Sequence, residues 1–598
     1  VTQWEAVEIE LRSEGSYTAR EKYQQVEVEG IFYGPSGQEI TVPGFWDGAD
    51  RFKIRFAASE PGVWRYETVS SEASLAGRQG SFEVVAPTVE QRRSNPNYRG
   101  FLEVAAAGDY LTYADGTPLF WLGGTLWDAN SKNLGYEDRF RAYVDDRKAK
   151  GFTVVQMLVG EPSAGYHADS RNTGINEGGP LFRDGGMEEI NPANLRWFDK
   201  RVRYVLEQGM VPVLFFEWGT QYNAFSKARL KDYYRHLVAR YGAYNVIWCI
   251  SGEYDRIGSS KLGKVRELGR YVEGLDELGH VTTIHPFGTG ASSVDDFADA
   301  QWMDFHMHQT WDKSEYAWLR GDYGRQVGPL VNAEAGYEQM DVGGVMHDRL
   351  EVRRDMWQVM ASGMAAGYTY GVKDLAFGSA SAPTLDMGQL TAPGASDARR
   401  MRSFFQGMRW WQLENDQQMI VSGGGQGDLQ KIATYRSDGR LALVYYPDGT
   451  GARIALDRIT AAGNAQLTWR NPADMSSQVI GTYQTSERPQ LRPPAGWSDA
   501  LLVIRAADAA APEVVLTAPS DGAVVTEGNS ILLEASASAG EGTVAQVTFF
   551  AGATELGSDA SPPYQYTWTN PPVGEHSLTS RVVMESGASS TSTPAVIT

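Results

Sequence analysis

Apolar positions along the chain follow two different periods. Up to about residue 88 they fall at every second place, in Val7-Glu8-Ile9-Glu10-Leu11 and again in Gln25-Val26-Glu27-Val28-Glu29-Gly30-Ile31-Phe32, the period of half-buried strands. Turn residues separate the runs, as in Gly34-Pro35-Ser36-Gly37 and Glu60-Pro61-Gly62. The pattern predicts a small immunoglobulin-type β-sandwich over residues 1–88, with 51–56 and 62–66 as a hairpin. Residues 86–100 carry Pro, Arg and Asn without a period and read as a linker.

From about 119 to 375 short apolar runs alternate with amphipathic helical stretches, the signature of βα units. Eight runs are expected to be strands: 119–123, 153–158, 211–216, 246–250, 281–285, 304–308, 329–334 and 367–371. Helices are expected at Lys227–Tyr241, 261–278 and 348–362. Eight strands in this span fit a (β/α)8 barrel, which takes roughly 250 residues. No G-x-G-x-x-G follows the first strand, which disfavours a dinucleotide-binding fold. Strand patterns return over 409–506, followed by the Ala-rich stretch 506–512 and a further strand-and-turn segment. The expected architecture is multidomain: a sandwich at 1–88, a central TIM barrel at 101–408, a flanking β-sandwich at 409–506 and an immunoglobulin-like module at 513–598. The last is expected to move relative to the rest.

Composition narrows the function. The 598 residues carry a net charge of -20, and so acidic a surface repels phosphate and disfavours a nucleic-acid partner. No apolar run approaches the ~18 residues of a membrane span. The single cysteine, Cys249, excludes an intrachain disulfide. It lies inside the fourth strand and reads as a buried small hydrophobe. Low cysteine usage fits either a cytosolic protein or a bacterial exported one; the chain opens Val1-Thr2-Gln3 rather than with Met, so a processed or trimmed form is expected, and the expected location is secreted, periplasmic or cell-surface in a bacterium. There are 17 Trp and 29 Tyr, residues that serve large cores and also the flat C–H faces of sugars.

In a (β/α)8 barrel the reactive groups sit at the C-terminal ends of the strands. Polar residues at those ends are Asp128, Glu161, Glu217, Glu253, Asp255, His285, His306, His308, Glu334, Glu338 and Lys373. The fourth strand runs NVIWCISGEYD and the seventh GPLVNAEAGYE, so Glu253 and Glu334 occupy equivalent levels. Glycoside hydrolysis needs one carboxyl to protonate the leaving oxygen and another as nucleophile or base. Glu334 closes an apolar strand and is expected to be the nucleophile. Glu253 follows Ser251-Gly252 and is expected to be the acid/base. Asp128, Gln156, Glu217, Trp218, His285, His306, His308, Trp311 and Tyr337 are expected to bind substrate, with Tyr337 positioning Glu334. Glu338 reads as a structural partner. No cofactor or metal is expected. A metal-dependent hydrolase using His306, His308, Glu253 and Asp255 is the first alternative, and a non-catalytic carbohydrate-binding or adhesin protein the second.

Strands four and seven are where retaining glycosidases of clan A carry their two carboxylates. In the order and spacing of FWLGGTLWDA, NVIWCISGEYD, IHPFG, VNAEAGYE and GMAAGYTYG, residues 119–375 resemble the apiosidase-like, cellulase-like barrel family (domain of unknown function 4038, glycoside hydrolase family 140). The first residues resemble the sandwich that often precedes such barrels, and 409–506 the sandwich labelled as collagen-binding that often follows them. The resemblance implies a retaining hydrolase of plant or algal polysaccharide or oligosaccharide. Much of that family has Asp where this chain has Glu253, one methylene longer, so apiosidase activity is not carried over.

Overall fold

The computed structural model describes residues 1–160, 174–184, 186–219, 224–258, 260, 262–288, 291–311, 315–342, 344–376, 385–507, 512–538, 544–584 and 589–598. Glu161, part of the 165–187 excursion and part of the 506–512 linker lie outside the described residues. The chain forms two compact units. One takes Val1–Val104, Gly123–Gln309 and Gly371–Thr391; the other takes Ala105–Leu122, Thr310–Tyr370 and Ala392–Thr598.

The first unit opens with two antiparallel sheets. In one, Ala6–Arg12 pairs with Arg51–Ala57, which pairs with Phe45–Trp46; in the other the order is Glu39–Pro43, Val28–Tyr33, Gly62–Ser70, Gln79–Val84. Alternation sends Phe32, Phe56 and Trp64 inward, and the Phe32 and Phe56 rings stack at 3.9 Å. The expected hairpin is therefore corrected. Arg51–Ala57 and Gly62–Ser70 lie in different sheets, so the Glu60-Pro61 turn carries the chain from one layer to the other. Short helices also replace expected strand and linker. Ala19–Gln24 begins with a capping box from Thr18 and Glu21. Val89–Ser94, inside the supposed linker, has the same device from Thr88 and Gln91.

The unit continues with parallel strands. Trp121–Leu126 reaches it at Gly123, where it pairs with Val154–Leu158; Val211–Phe215, Ile247–Cys249 and Thr282–Thr283 follow as successive neighbours. The strand expected at 119–123 starts later, because Pro118–Leu119 pairs antiparallel with Leu111–Tyr113. Between strands run Arg141–Ala149, Pro192–Glu207, Lys227–Tyr241 and Leu262–Glu273. Every residue of Val154–Leu158 and Val211–Phe215 is buried, as parallel strands covered on both faces must be. A buried ionic cluster joins the sandwich to this region. Asp199 accepts from Arg240 Nε at 2.7 Å and from Arg55 Nη2 at 2.8 Å, and Arg240 also bonds Asp47 at 3.1 Å.

The second unit holds Leu330–Glu334 parallel to Gly367–Tyr370, with helices Glu315–Tyr323, Arg349–Ala361 and Gly394–Gln406. Across the chain, these strand–helix repeats are those of a (β/α)8 barrel flanked by β-sandwich domains. A six-stranded sheet, centred on Leu441–Tyr446 and Ala500–Ala506, packs with a three-stranded one over Val444, Leu467, Leu502 and Ile504. Arg353 seats it on helix Arg349–Ala361 by gripping Asp499 at 2.6 Å. The terminal segment is a second sandwich around Leu533, Phe549 and Val582. Ser536 Oγ donates to Gln406 O at 2.7 Å, and Glu513 lies 3.3 Å from both Arg436 and Arg505.

Candidate active site

The ends of the third and fourth barrel strands are locked together beyond their regular ladder. Gly252 N donates to Glu217 O at 3.0 Å and Gly219 N to Gly252 O at 2.7 Å. Both glycines are obligatory here. A Cβ on Gly252 would overlap the Trp218 indole, and one on Gly219 would overlap the Glu253 carbonyl. The turn then places Glu253 at φ 47° and ψ 48°, left-handed backbone that costs a non-glycine residue about 1 kcal/mol or more. Such strain persists only where surrounding bonds hold it. Here Tyr254 N donates to His285 O at 3.2 Å, and His285 N to Ser251 O at 3.0 Å.

Glu253 is buried, and Trp218 Nε1 donates to its Oε2 at 2.9 Å. Arg256 pairs with the same carboxylate, while its guanidinium lies 3.6 Å over the Phe287 ring. Trp127 packs edge-on against Trp218 at 5.1 Å and against His285 at 6.0 Å. The structure thus brings together Glu253, Trp218 and His285 from the expected set. It adds Trp127 and Arg256, which sequence reasoning passed over. Arg256 carried a usable signal, since it lies one helical turn beyond Glu253. Trp218, expected as a stacking platform, is only 4% exposed; its ring covers Gly252 and its N–H serves Glu253.

Other expected residues lie nearby in sequence but have different surroundings. Glu217 is buried and accepts from Tyr234 Oη at 3.3 Å. Asp128 is buried in the 3-10 turn Trp127–Asn130, and Gln156 within Val154–Leu158. His306 Nδ1 lies 3.0 Å from Ser293 Oγ, and His308 pairs in register with Ser292. Asp255 accepts from Phe287 N at 2.7 Å; burial pushes its carboxyl up from the usual range, and this bond acts the other way. Among the described residues, no group of three or more His, Cys, Asp or Glu side chains is placed to hold a metal. Burial also pushes the Cys249 thiol far above its ordinary value, so it is inert packing.

In the second unit, Glu334 is buried at the last position of Leu330–Glu334. Tyr337 donates its hydroxyl to Glu334 Oε1, and Thr310 N donates to the Glu334 carbonyl at 3.0 Å. Trp311, left-handed at φ 37°, stands 6.0 Å from the Tyr337 ring. Asn332 Nδ2 donates to Thr310 Oγ1 at 3.0 Å, fixing the strand end from below. Glu338, expected from the sequence as a structural partner, sits in a hydrogen-bonded setting of its own. It accepts from Tyr370 and from Gly394 N at 3.0 Å, and burial raises its carboxyl above the usual range.

Comparison with known proteins gives this geometry a family. The model described as "Apiosidase-like, catalytic domain" matches residues 105–412. A domain of unknown function matches 1–71, a collagen-binding domain of a collagenase 415–505, and a bacterial Ig domain 512–579. A glycoside hydrolase structure from Bacteroides vulgatus ATCC 8482 is similar over 84% of this chain and 99% of its own, with TM-score 0.64 and 16% identity. A family 5 glycoside hydrolase from the same organism covers 69% of this chain and 95% of its own, with TM-score 0.59 and 21% identity. At these identities the likeness concerns the fold. No curated protein matches the chain. With just over half of its length under the apiosidase-like model, the chain belongs to the apiosidase-like family and is a glycosidase.

Proposed function

We propose that this glycosidase cleaves a plant or algal polysaccharide or oligosaccharide with retention of anomeric configuration, using Glu334 as nucleophile and Glu253 as acid/base. The observation that carries the reading is shared by both residues. Each is a buried glutamate at a barrel-strand end, held by one rigid aromatic donor, Tyr337 for Glu334 and Trp218 for Glu253. Glu334 attacks the anomeric carbon while Glu253 gives its proton to the departing glycosidic oxygen. The glycosyl ester on Glu334 is then hydrolysed by a water whose proton returns to Glu253. The strained backbone at Glu253 fits a side chain held for a task.

The domains serve this reading as a sandwich at 1–88, a barrel at 101–408, a sandwich at 409–506 and a module at 513–598, in a protein exported to where polysaccharide is met. The experiment is a pair of variants on an activated aryl glycoside. Glu334→Gln loses activity on every substrate. Glu253→Gln keeps the first step on good leaving groups, and azide rescues its second step. Activity of Glu334→Gln on the aryl glycoside, or inverted configuration in the fresh product, overturns the assignment. A retaining pair also requires carboxyls about 5–5.5 Å apart when resolved by crystallography, against roughly 6.5–9.5 Å for inversion.

A further inference from the structure

A cleft in the second unit holds about 880 Å³, in the size range of a small-molecule site. Helix Gly394–Gln406 forms one wall, with strands Asn464–Arg470, Ser477–Gln484 and Ala500–Ala506 and the edge of the terminal module around the rest. Its lining has a definite chemistry. Arg399, Arg400, Arg470 and Arg505 contribute guanidinium groups, and among the described residues no carboxylate side chain lines it. Phe404, Met408 and Val503 supply apolar surface, while Ser396, Ser403, Gln466, Thr468 and Ser477 supply hydroxyl and amide groups.

Two of these arginines are ion-paired to carboxylates set behind the cleft wall. Asp397, buried behind the helix, is divided among Arg349 at 2.7 Å, Arg353 at 3.3 Å and Arg400 at 2.6 Å. Glu513 is divided between Arg436 and Arg505. Asp474 stands close enough to Arg349 and Arg400 to be held below the usual carboxylate range, its Ser476 bonds contributing most. Arg470 is oriented by Met475 O at 3.1 Å. Arg399 is exposed at the rim. In a chain of net charge -20, four arginines gather on the walls of this one cleft, two of them ion-paired to Asp397 and Glu513.

We propose that this cleft is a second, non-catalytic glycan site that takes anionic sugars, units bearing carboxylate or sulfate groups. Guanidinium forks match both oxyanions. The neutral polar groups suit ring hydroxyls, and the apolar floor suits C–H faces. The proposal rests on the reading of the chain as a polysaccharide hydrolase, because that reading makes the ligand a sugar.

The test is calorimetric titration of the full chain at low ionic strength with three tetrasaccharides: alginate, sulfated carrageenan and neutral cellotetraose. Binding of an anionic tetrasaccharide, weakened about tenfold or more by Arg399→Glu and by Val479→Glu, supports the site, and the arm that binds names the oxyanion. Both positions are exposed, so the fold tolerates either change, and circular dichroism and melting check it. Turnover of the aryl glycoside should stay unchanged in both variants. That readout separates failure here from failure of the catalytic assignment, which Glu334→Gln and Glu253→Gln decide. Equal affinity for cellotetraose, indifference to both variants, no binding at millimolar concentration, or competition by equimolar inorganic phosphate overturns the proposal.

Discussion

Asp199→Asn removes one negative charge from the buried cluster that joins the N-terminal sandwich to helices Pro192–Glu207 and Lys227–Tyr241. Burial acts to raise the Asp199 carboxyl, but Arg240 and Arg55 overcome it and hold it far below the ordinary carboxylate range. Arg55, Arg240 and Asp199 are all buried. Two unit charges 4 Å apart attract by about 4 kcal/mol at an effective dielectric of 20, and the cost of burial offsets much of that. Removing one partner from a buried pair typically costs about 3–5 kcal/mol. The lower end applies here, because Glu8 remains on Arg55 at 2.9 Å and Asp47 on Arg240 at 3.1 Å. At about 2.1 cal/mol/K of unfolding entropy per residue, a loss of about 3 kcal/mol lowers the melting temperature of a unit of about 300 residues by roughly 5 °C. Scanning calorimetry of the full chain should show one transition moving by that amount while those of the C-terminal sandwiches stay in place. The folded-state carboxyl is depressed, so its contribution is complete above the unfolded value near 3.9 and is lost as pH falls toward the folded value. The gap between wild type and variant should hold from pH 8 to 5 and narrow below about pH 4. A shift under about 2 °C at pH 7, or a gap that closes between pH 8 and 6, would refute the argument.

Three further perturbations read the site and its support. Trp218→Phe keeps a ring over Gly252 but removes the N–H on Glu253. A hydrogen bond to a charged group is worth about 1.5–3 kcal/mol, so kcat/KM should fall roughly 10- to 100-fold with melting lowered by no more than about 5 °C; unchanged kinetics would mean the indole only packs. Tyr337→Phe removes the hydroxyl on Glu334 and should lower kcat by a similar factor with little change in KM, and a pure KM effect would place Tyr337 on substrate instead. Burial, against one bond from Thr282 N at 2.7 Å, raises Asp304 to about 6. A raised folded-state value contributes stability below the unfolded value and loses it as pH rises through about 6. Asp304→Asn should therefore stabilise the chain at pH 8 by about 3 kcal/mol at most and not at pH 4, with thermal melts at the two pH values as the check; equal shifts would count against it.

Much of the barrel is legible in the sequence because its signals are local. Lys227–Tyr241 begins after Ser226, whose side chain caps Arg229 N, and its apolar face repeats within a few turns. Its observed limits coincide with those read from the pattern. The strand-end positions of Glu253 and Glu334 are equally local, since a glutamate directly after or at the end of an apolar run stands at the barrel rim. The missed helix Val89–Ser94 shows the limit of period-based reading: Thr88 and Gln91 cap it as a T-x-x-Q box, but six residues are too few for a period to appear.

Other features have no local signal. Whether Arg51–Ala57 turns back on itself or crosses to the facing layer depends on which sheet edge awaits it, and alternation is identical in both cases. The bond from Trp218 to Glu253 spans 35 residues, and it exists because two adjacent parallel strands end at one level with Gly252 beneath the ring. The left-handed backbone at Glu253 follows from the same packing, since nothing in Ser-Gly-Glu-Tyr demands that the glutamate rather than the glycine take positive φ. By itself the sequence determined the alternation of strand and helix and the two glutamates at strand ends, because periodicity and turn chemistry act within a few residues. The tertiary structure alone decided which side chains hold those glutamates and where charge gathers, because those contacts join residues that only the closed fold brings within bonding distance.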